Sequence, residues 1–312
     1  MALDVAENRG TAIVRGRIPA DGDGDLRTTL RSAAREWYRS GAALARRATS
    51  PLRLLPDFVI IGAQRSGSSS LYHYLEQHPC VGPAARKEVH FFDLNWEKGL
   101  GWYRAYFPIA ARRAFHRWRH DPTYVTGEAC PYYLFHPHVP ERLVRVAPDA
   151  KLIAILRNPA DRAISHYLHE RKKGREPLSF DESIRREEER LGTEAGTLHV
   201  GEDYEESAHR RFSYLARGRY AEQLERWQHR FPPGQILVVA AEDMFRDAGA
   251  VYRQVLHFFG LPPWDPPAFP RFNQGPRATV EWQLRGTLID YFRPHNERLY
   301  ELLGRDLGWD RT

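Results

Sequence analysis

The sequence predicts an α/β fold in which a P-loop-like central parallel sheet is flanked by helices. Three observations carry that expectation. Short, continuous apolar runs recur at 58–63 (FVIIGA), 151–156 (KLIAIL) and 235–240 (QILVVA), as expected of strands covered on both faces. Segments with helical spacing lie between and after them. The first run also passes through a Gly- and Ser-rich turn into a helix, an arrangement that aims backbone N–H groups at an anion.

In chain order, residues 1–50 are expected to form an N-terminal extension, disordered or helical. DGDGD and its surroundings lack periodicity over about the first 26 residues. From Leu26 to Arg47, Leu30, Ala34, Trp37 and Leu44 fall roughly on one helical face; a basic helix there packs on its own domain, or lies on a membrane or a partner. Pro51 and Pro56 punctuate the entry to a single domain expected over 51–312. Helices are expected at 67–77, 139–146, 159–171, 213–230, 248–259 and 280–303. The charged stretch 176–206, which includes RREEER, reads as a solvated helix and loop.

With 312 residues, 42% hydrophobic and 12% aromatic, the chain buries a large core and fits one large domain better than two average ones. Cys80 and Cys130 are too few for a disulfide framework and have no zinc-type spacing, so both read as buried, reduced thiols and no metal is expected. No run of about 18 apolar residues occurs, and the first residues lack the pattern of a signal peptide. These features point to a cytoplasmic protein without a transmembrane segment. The net charge of +6 attracts anions from a distance. No nucleic-acid-binding module accompanies it, and nucleic acid is not an expected partner.

In the first turn, Gly62 and Gly67 have Walker A spacing, but Ser68 stands where that motif has its lysine. Arg65 supplies a cation from inside the loop instead. After the second apolar run, Asn158 and Pro159 form a good helix start, which puts Arg157 at the strand's C-terminal end and Ser165 two turns along the helix. No Asp ends that strand, so a Walker B reading fails as well. These two absences count against the alternative reading, a P-loop nucleotide kinase or phosphotransferase. A non-catalytic anion-binding module is a further alternative, against which the carboxylate discussed below counts.

GAQRSGSSSLY (62–72), KEVHFFD (87–93), KGLGWYRAYFP (98–108), GEACPYYL (127–134), LRNPADRAISHY (156–167), RGRYAEQLERW (217–227) and RPHNERLYELLGRDLGW (293–309) resemble, in the same order, the sulfotransferases that use 3′-phosphoadenosine 5′-phosphosulfate (PAPS). The likeness is greatest to the branch of heparan sulfate sulfotransferases and their bacterial relatives. The resemblance covers roughly Asp57 to Trp309. It implies that Gln64, Arg65, Ser66, Gly67, Ser68, Ser69 and Ser70 bind the 5′-phosphosulfate of PAPS, and that Arg157 and Ser165 bind its 3′-phosphate. It also implies that Tyr220 lies near that phosphate and that Arg277, in NQGPR, closes over the donor. Guanidinium groups fork onto phosphate and serine hydroxyls donate to it, so the residue types suit these roles.

In this branch the glutamate upstream of HFF is the general base, which corresponds to Glu88. His90 is the other candidate base, and Lys87 would neutralise the sulfonate or hold Glu88. The implied reaction is an in-line displacement: an acceptor hydroxyl or amine attacks sulfur, adenosine 3′,5′-bisphosphate leaves, and Arg65 with the loop donors steadies the departing charge. The sequence departs from the family pattern at Arg65, where lysine is common, at Ser68, where threonine is common, and at Ala129, where heparan sulfate 3-O-sulfotransferases have a lysine. The last change removes a cation near the polysaccharide, so heparan sulfate is not the expected acceptor. Trp96, Trp102, Tyr103, Tyr132 and Tyr133 flank the acceptor side and suit stacking or core packing equally. The acceptor and the oligomeric state have no signature in the sequence.

Overall fold

The computed structural model describes residues 42–119, 123–192, 207–272 and 282–310. The described residues from 46 onward belong to one compact unit. Of the helix expected over 26–47, only residues from 42 onward fall among those described, and 42–48 are helical. Arg277 lies outside the described residues.

Five strands form one parallel sheet: β1 (Phe58–Gly62), β2 (Val81–Pro83), β3 (Val125–Ala129), β4 (Lys151–Leu156) and β5 (Ile236–Ala240), in the spatial order β2-β3-β1-β4-β5. The principal helices are α1 (Ser68–Glu76), α2 (Pro159–Lys172), α3 (Tyr220–Gln228), α4 (Ala248–Phe259) and α5 (Trp282–Leu303). β1, β4 and β5 coincide with the three apolar runs. β2 and β3 were not expected, because β2 is only three residues long and β3 (VTGEA) carries a glycine and a carboxylate.

Each apolar run serves two cores, which explains its lack of polar alternation. Val59 and Ile61 of β1 join Leu152, Ala154 and Leu156 of β4 in a cluster with Leu224 and Trp227 of α3 and Leu299 of α5. Phe58, Ile60, Ile153 and Ile155 face the other way, onto Leu71 and Leu75 of α1 and Val255 and Phe259 of α4. A third cluster joins Ala160 and Ala163 of α2 to Tyr214, Ile289 and Phe292.

Two junctions position the site. Because β1 and β4 are parallel neighbours, the loop after each emerges at the same edge of the sheet. Just before that edge the register slips, since Ile60 pairs with Ile153 and Gly62 with Ala154; such irregularities re-aim a strand end. Asn158 then caps α2, its side chain accepting from the backbone N–H groups of Ala160 and Asp161 at 3.0 and 3.4 Å. Glu242 fixes the cap from outside, accepting from the Asn158 backbone N–H at 2.9 Å and the Trp309 indole at 3.2 Å. The C-terminal motif that ends in Trp309 thereby reaches the β4–α2 turn.

In the charged stretch 176–206, described as far as residue 192, the solvated reading fails at two positions. Glu176 and Glu187 are buried at 2% and 3% exposure. Glu187 accepts from the backbone N–H groups of Leu215 and Ala216, while Glu176 accepts from Tyr214 and Arg190. Two carboxylates of this run therefore act as buried acceptors for the segment leading into α3.

Candidate active site

The turn between β1 and α1 takes its shape from two left-handed residues, Arg65 at φ 69° and Gly67 at φ 100°. Glycine is needed at the second: a Cβ there would adopt a disfavoured conformation and stand 2.2 Å from Met244 Cε. Helix α1 begins immediately afterwards at Ser68 with no side-chain cap, so its positive end is presented at the turn. Ser66, Ser68 and Ser70 are buried. The Ser70 hydroxyl accepts from the Phe272 backbone N–H, whereas the Ser66 hydroxyl has no partner among the described residues. Gln64 accepts from Arg217, which ties the loop to the segment before α3.

Arg65 leaves the loop toward α2, its Nε donating to the Ser165 hydroxyl at 3.0 Å. Arg157 comes from the end of β4, donating to the Arg65 carbonyl at 3.3 Å and lying 5.9 Å from the Phe245 ring. Burial, with the neighbouring Arg157 charge, lowers the pKa of Arg65. Two guanidinium groups and a serine hydroxyl thus meet beside the loop. Tyr220 reaches this cluster indirectly: it is buried, and its hydroxyl donates to the Arg157 carbonyl at 2.9 Å. It is placed to hold Arg157 in position.

The segment carrying Glu88 hangs on the end of β3. The Glu88 backbone N–H donates to the Ala129 carbonyl at 3.1 Å, and the next N–H, of Val89, donates to the Glu128 carboxylate at 3.1 Å. Glu128 is fully buried and also accepts from Tyr103 at 2.6 Å and Tyr133 at 3.3 Å. These two tyrosines are therefore spent inside the protein. Glu88 and His90 adopt left-handed backbone, at φ 38° and 55°, and with Arg65 they are the non-glycine residues that do so among those described. Such conformations are costly and persist where surrounding contacts impose them.

Lys87 bridges loop and carboxylate, donating to the Ser69 hydroxyl at 2.5 Å and to Glu88 Oε1 at 3.0 Å. His90 Nε2 stands 3.7 Å from Glu88 Oε2 and 3.5 Å from Arg210, while Nδ1 pairs with Asp93 Oδ2 at 2.6 Å. Burial alone would raise the Glu88 pKa, but His90 and Lys87 overcome it and hold the carboxyl at about 2. Burial likewise opposes protonation of His90, yet Cys130, Asp93 and Glu88 raise its pKa far above the imidazole range. Asp93 and Arg210 were not anticipated. The spacing Glu-x-His-x-x-Asp was a usable signal for Asp93, whereas nothing local marks Arg210.

Among the described residues, His90, Asp93 and Cys130 could together hold a metal ion, with candidate ligand atoms within 4.8 Å of one another. The 2.6 Å between His90 Nδ1 and Asp93 Oδ2 is a hydrogen bond. Two tetrahedral zinc ligands would stand about 3.3 Å apart. Cys130 is a buried free thiol whose Sγ lies 3.2 Å from Nδ1, so it packs against the pair of His90 and Asp93.

Burial pushes Glu128 up to about 7, against the hydrogen bonds from Tyr103 and Val89. The ordinary value is 4.5. Below pH 4.5 both folded and unfolded chains carry the proton, and Glu128 adds no pH dependence. Between about 4.5 and 7 the unfolded chain releases it first, so stability falls as pH rises, by about 3 kcal/mol in total from this group. Glu128→Gln removes the titrating proton, and its amide oxygen still accepts from these donors. We expect denaturant titrations at pH 4.5 and 7.5 to show a smaller loss of stability for this variant than for the native protein.

The sulfotransferase domain family profile matches residues 55–266. Heparan sulfate glucosamine 3-O-sulfotransferase 3B1 of Mus musculus is 30% identical over 280 residues, which cover 82% of this chain and 65% of its own length. The bifunctional heparan sulfate N-deacetylase/N-sulfotransferase 2 of Homo sapiens is 27% identical over 280 residues, covering 80% of this chain and 30% of its own. This chain therefore matches under two thirds of either relative. Among solved structures, a sulfotransferase from Alicyclobacillus acidocaldarius matches with a TM-score of 0.63 and 33% identity, covering 83% of this chain and 100% of that one.

Proposed function

This chain belongs to the sulfotransferase family, and we propose that it moves the sulfonate of PAPS to a hydroxyl or amine of an acceptor, with Glu88 as general base. The observation that carries the proposal is the meeting of an anion-ready loop with a carboxylate through Lys87, which touches both Ser69 and Glu88. The uncapped start of α1 and the unpartnered Ser66 hydroxyl suit the 5′-phosphosulfate. Arg157, Arg65 and Ser165 suit the 3′-phosphate, with Tyr220 positioning Arg157. We assign this activity to the domain expected over 51–312 and take its setting to be the cytoplasm. Among the described residues no helix is long and apolar enough to cross a membrane.

In the reaction, the acceptor oxygen or nitrogen forms a bond to sulfur as the bond from sulfur to the bridging oxygen of the phosphate breaks. The acceptor proton passes to Glu88, and the electron pair of the broken bond leaves with adenosine 3′,5′-bisphosphate. A carboxyl held at about pKa 2 is a weak base. Lys87 supplies part of the remedy: a sulfonate arriving beside Ser69 competes for its ammonium, which removes one of the two groups that lower the Glu88 pKa and raises its basicity. His90 supports the choice of Glu88, because Nδ1 is committed to Asp93 and its side chain is 11% exposed against 43% for Glu88. The acceptor class is open to a carbohydrate, a lipid or a small metabolite. Buried Ala129 leaves the heparan sulfate of the relatives without the lysine expected there.

Adenosine 3′,5′-bisphosphate at about 100 times its dissociation constant is expected to stabilise the protein by about 2.7 kcal/mol, and ATP with magnesium by far less. Thermal unfolding with each nucleotide is the test. Equal stabilisation by both would favour a nucleotide phosphotransferase.

A further inference from the structure

Helix Ala110–Arg119 (AARRAFHRWR) has no buried residue. Arg113 and His116 are its half-buried positions, where Arg113 pairs with Asp57 and the His116 ring lies 5.1 Å from that of Tyr124. All other positions of this helix are exposed. Phe115 and Trp118, one turn apart, are 54% and 80% exposed, with ring centroids 5.9 Å apart. Arg119 lies over the Phe115 ring, and the helix has four arginines and no acidic residue.

The apolar exposure continues beyond the helix. Ile109, 37% exposed, precedes it and bridges to Arg53, whose neighbour Leu52 is 62% exposed. Leu100, 41% exposed, lies on the short helix Gly99–Arg104, which is tied to the same segment by the Arg104 bond to the Arg53 carbonyl. Five of the seven large hydrophobic side chains exposed among the described residues therefore lie on three linked segments.

We propose that this face seats the protein on an anionic lipid bilayer. Aromatic tips on an arginine-rich helix, with aliphatic tips on the linked segments, match the interfacial zone, where Trp and Phe enter the headgroup layer and basic groups meet lipid charge. The charge of the helix is of one sign, which complements a surface of dispersed negative charge. A fluid surface also needs no matching shape, which suits tips carried on three separate segments.

The test uses the full chain with vesicles of phosphatidylcholine alone and vesicles containing phosphatidylserine. Sedimentation should show binding to the second kind only, weakened by salt. Phe115→Ser with Trp118→Ser should abolish it. Arg112→Gln with Arg119→Gln should weaken it about thirtyfold, the effect of two basic groups at such a surface. Both double variants spare the Arg113–Asp57 pair and should keep the native melting temperature and bisphosphate affinity. Equal binding to both vesicle types, no binding to either, or binding indifferent to the arginine variant would overturn the proposal. So would a protein dimer that the Phe115/Trp118 variant dissolves without any vesicle binding, which would assign the face to a second copy of this chain.

Discussion

Replacing Glu88 by glutamine is expected to slow sulfonate transfer about 10²–10⁴-fold while leaving affinity for adenosine 3′,5′-bisphosphate unchanged. The change preserves shape and hydrogen bonding but removes the basicity that takes the acceptor proton as sulfur is attacked. The loss corresponds to about 2.7–5.4 kcal/mol of barrier. Binding should be spared because the nucleotide contacts proposed above belong to the β1–α1 loop, the end of β4 and α2. Single-turnover transfer and product affinity measured on the same samples separate the two effects. His90→Asn is the comparison that matters. If Glu88→Gln transfers at near the native rate while His90→Asn is folded and inactive, the base is His90, and the Asp93 contact orients it for that role.

Arg157→Ala is expected to cost about 10–100-fold in affinity for adenosine 3′,5′-bisphosphate, the range for a hydrogen-bonded charge pair. Affinity for adenosine 5′-monophosphate, which has no 3′-phosphate, should hardly move. The fold should tolerate the change, because the structural duty at this position falls on the backbone: the Arg157 carbonyl accepts from Tyr220, and Asn158 caps α2 next door. Calorimetric titration of both nucleotides into both proteins gives the comparison. An equal loss for the two ligands would place Arg157 on the 5′ side or reduce its role to supporting the loop through the Arg65 carbonyl.

What the sequence made legible follows physical rules. β1, β4 and β5 could be seen because a strand buried on both faces must be apolar at successive positions. β3 could not, since Glu128 sits inside the sheet on hydrogen bonds from Tyr103, Tyr133 and Val89, partners that only the fold assembles. Helix Ala110–Arg119 was missed for a related reason: its inward contacts are Arg113 and His116, so no apolar stripe marks it.

At the site, the glycine turn and the Asn158 cap were legible because each does its work locally. The link from Lys87 to Ser69 spans 18 residues, and the approach of Arg210 to His90 spans 120. Neither leaves a local pattern. The buried Glu176 and Glu187 show the opposite error, since a run of charges in sequence concealed two that serve as interior hydrogen-bond acceptors. The role of Arg277 lies outside the described residues.

The central claim is that the transferred group is a sulfonate delivered from PAPS. It is tested most directly by incubating the full protein with sulfur-labelled PAPS, or in parallel with terminally phosphorus-labelled ATP, in the presence of fractionated carbohydrate, lipid and small-metabolite acceptors. Sulfur label should appear in at least one acceptor fraction, adenosine 3′,5′-bisphosphate should be released in equal amount, and Glu88→Gln should suppress both. Transfer of phosphorus label from ATP, with no sulfur label in any fraction, would contradict it.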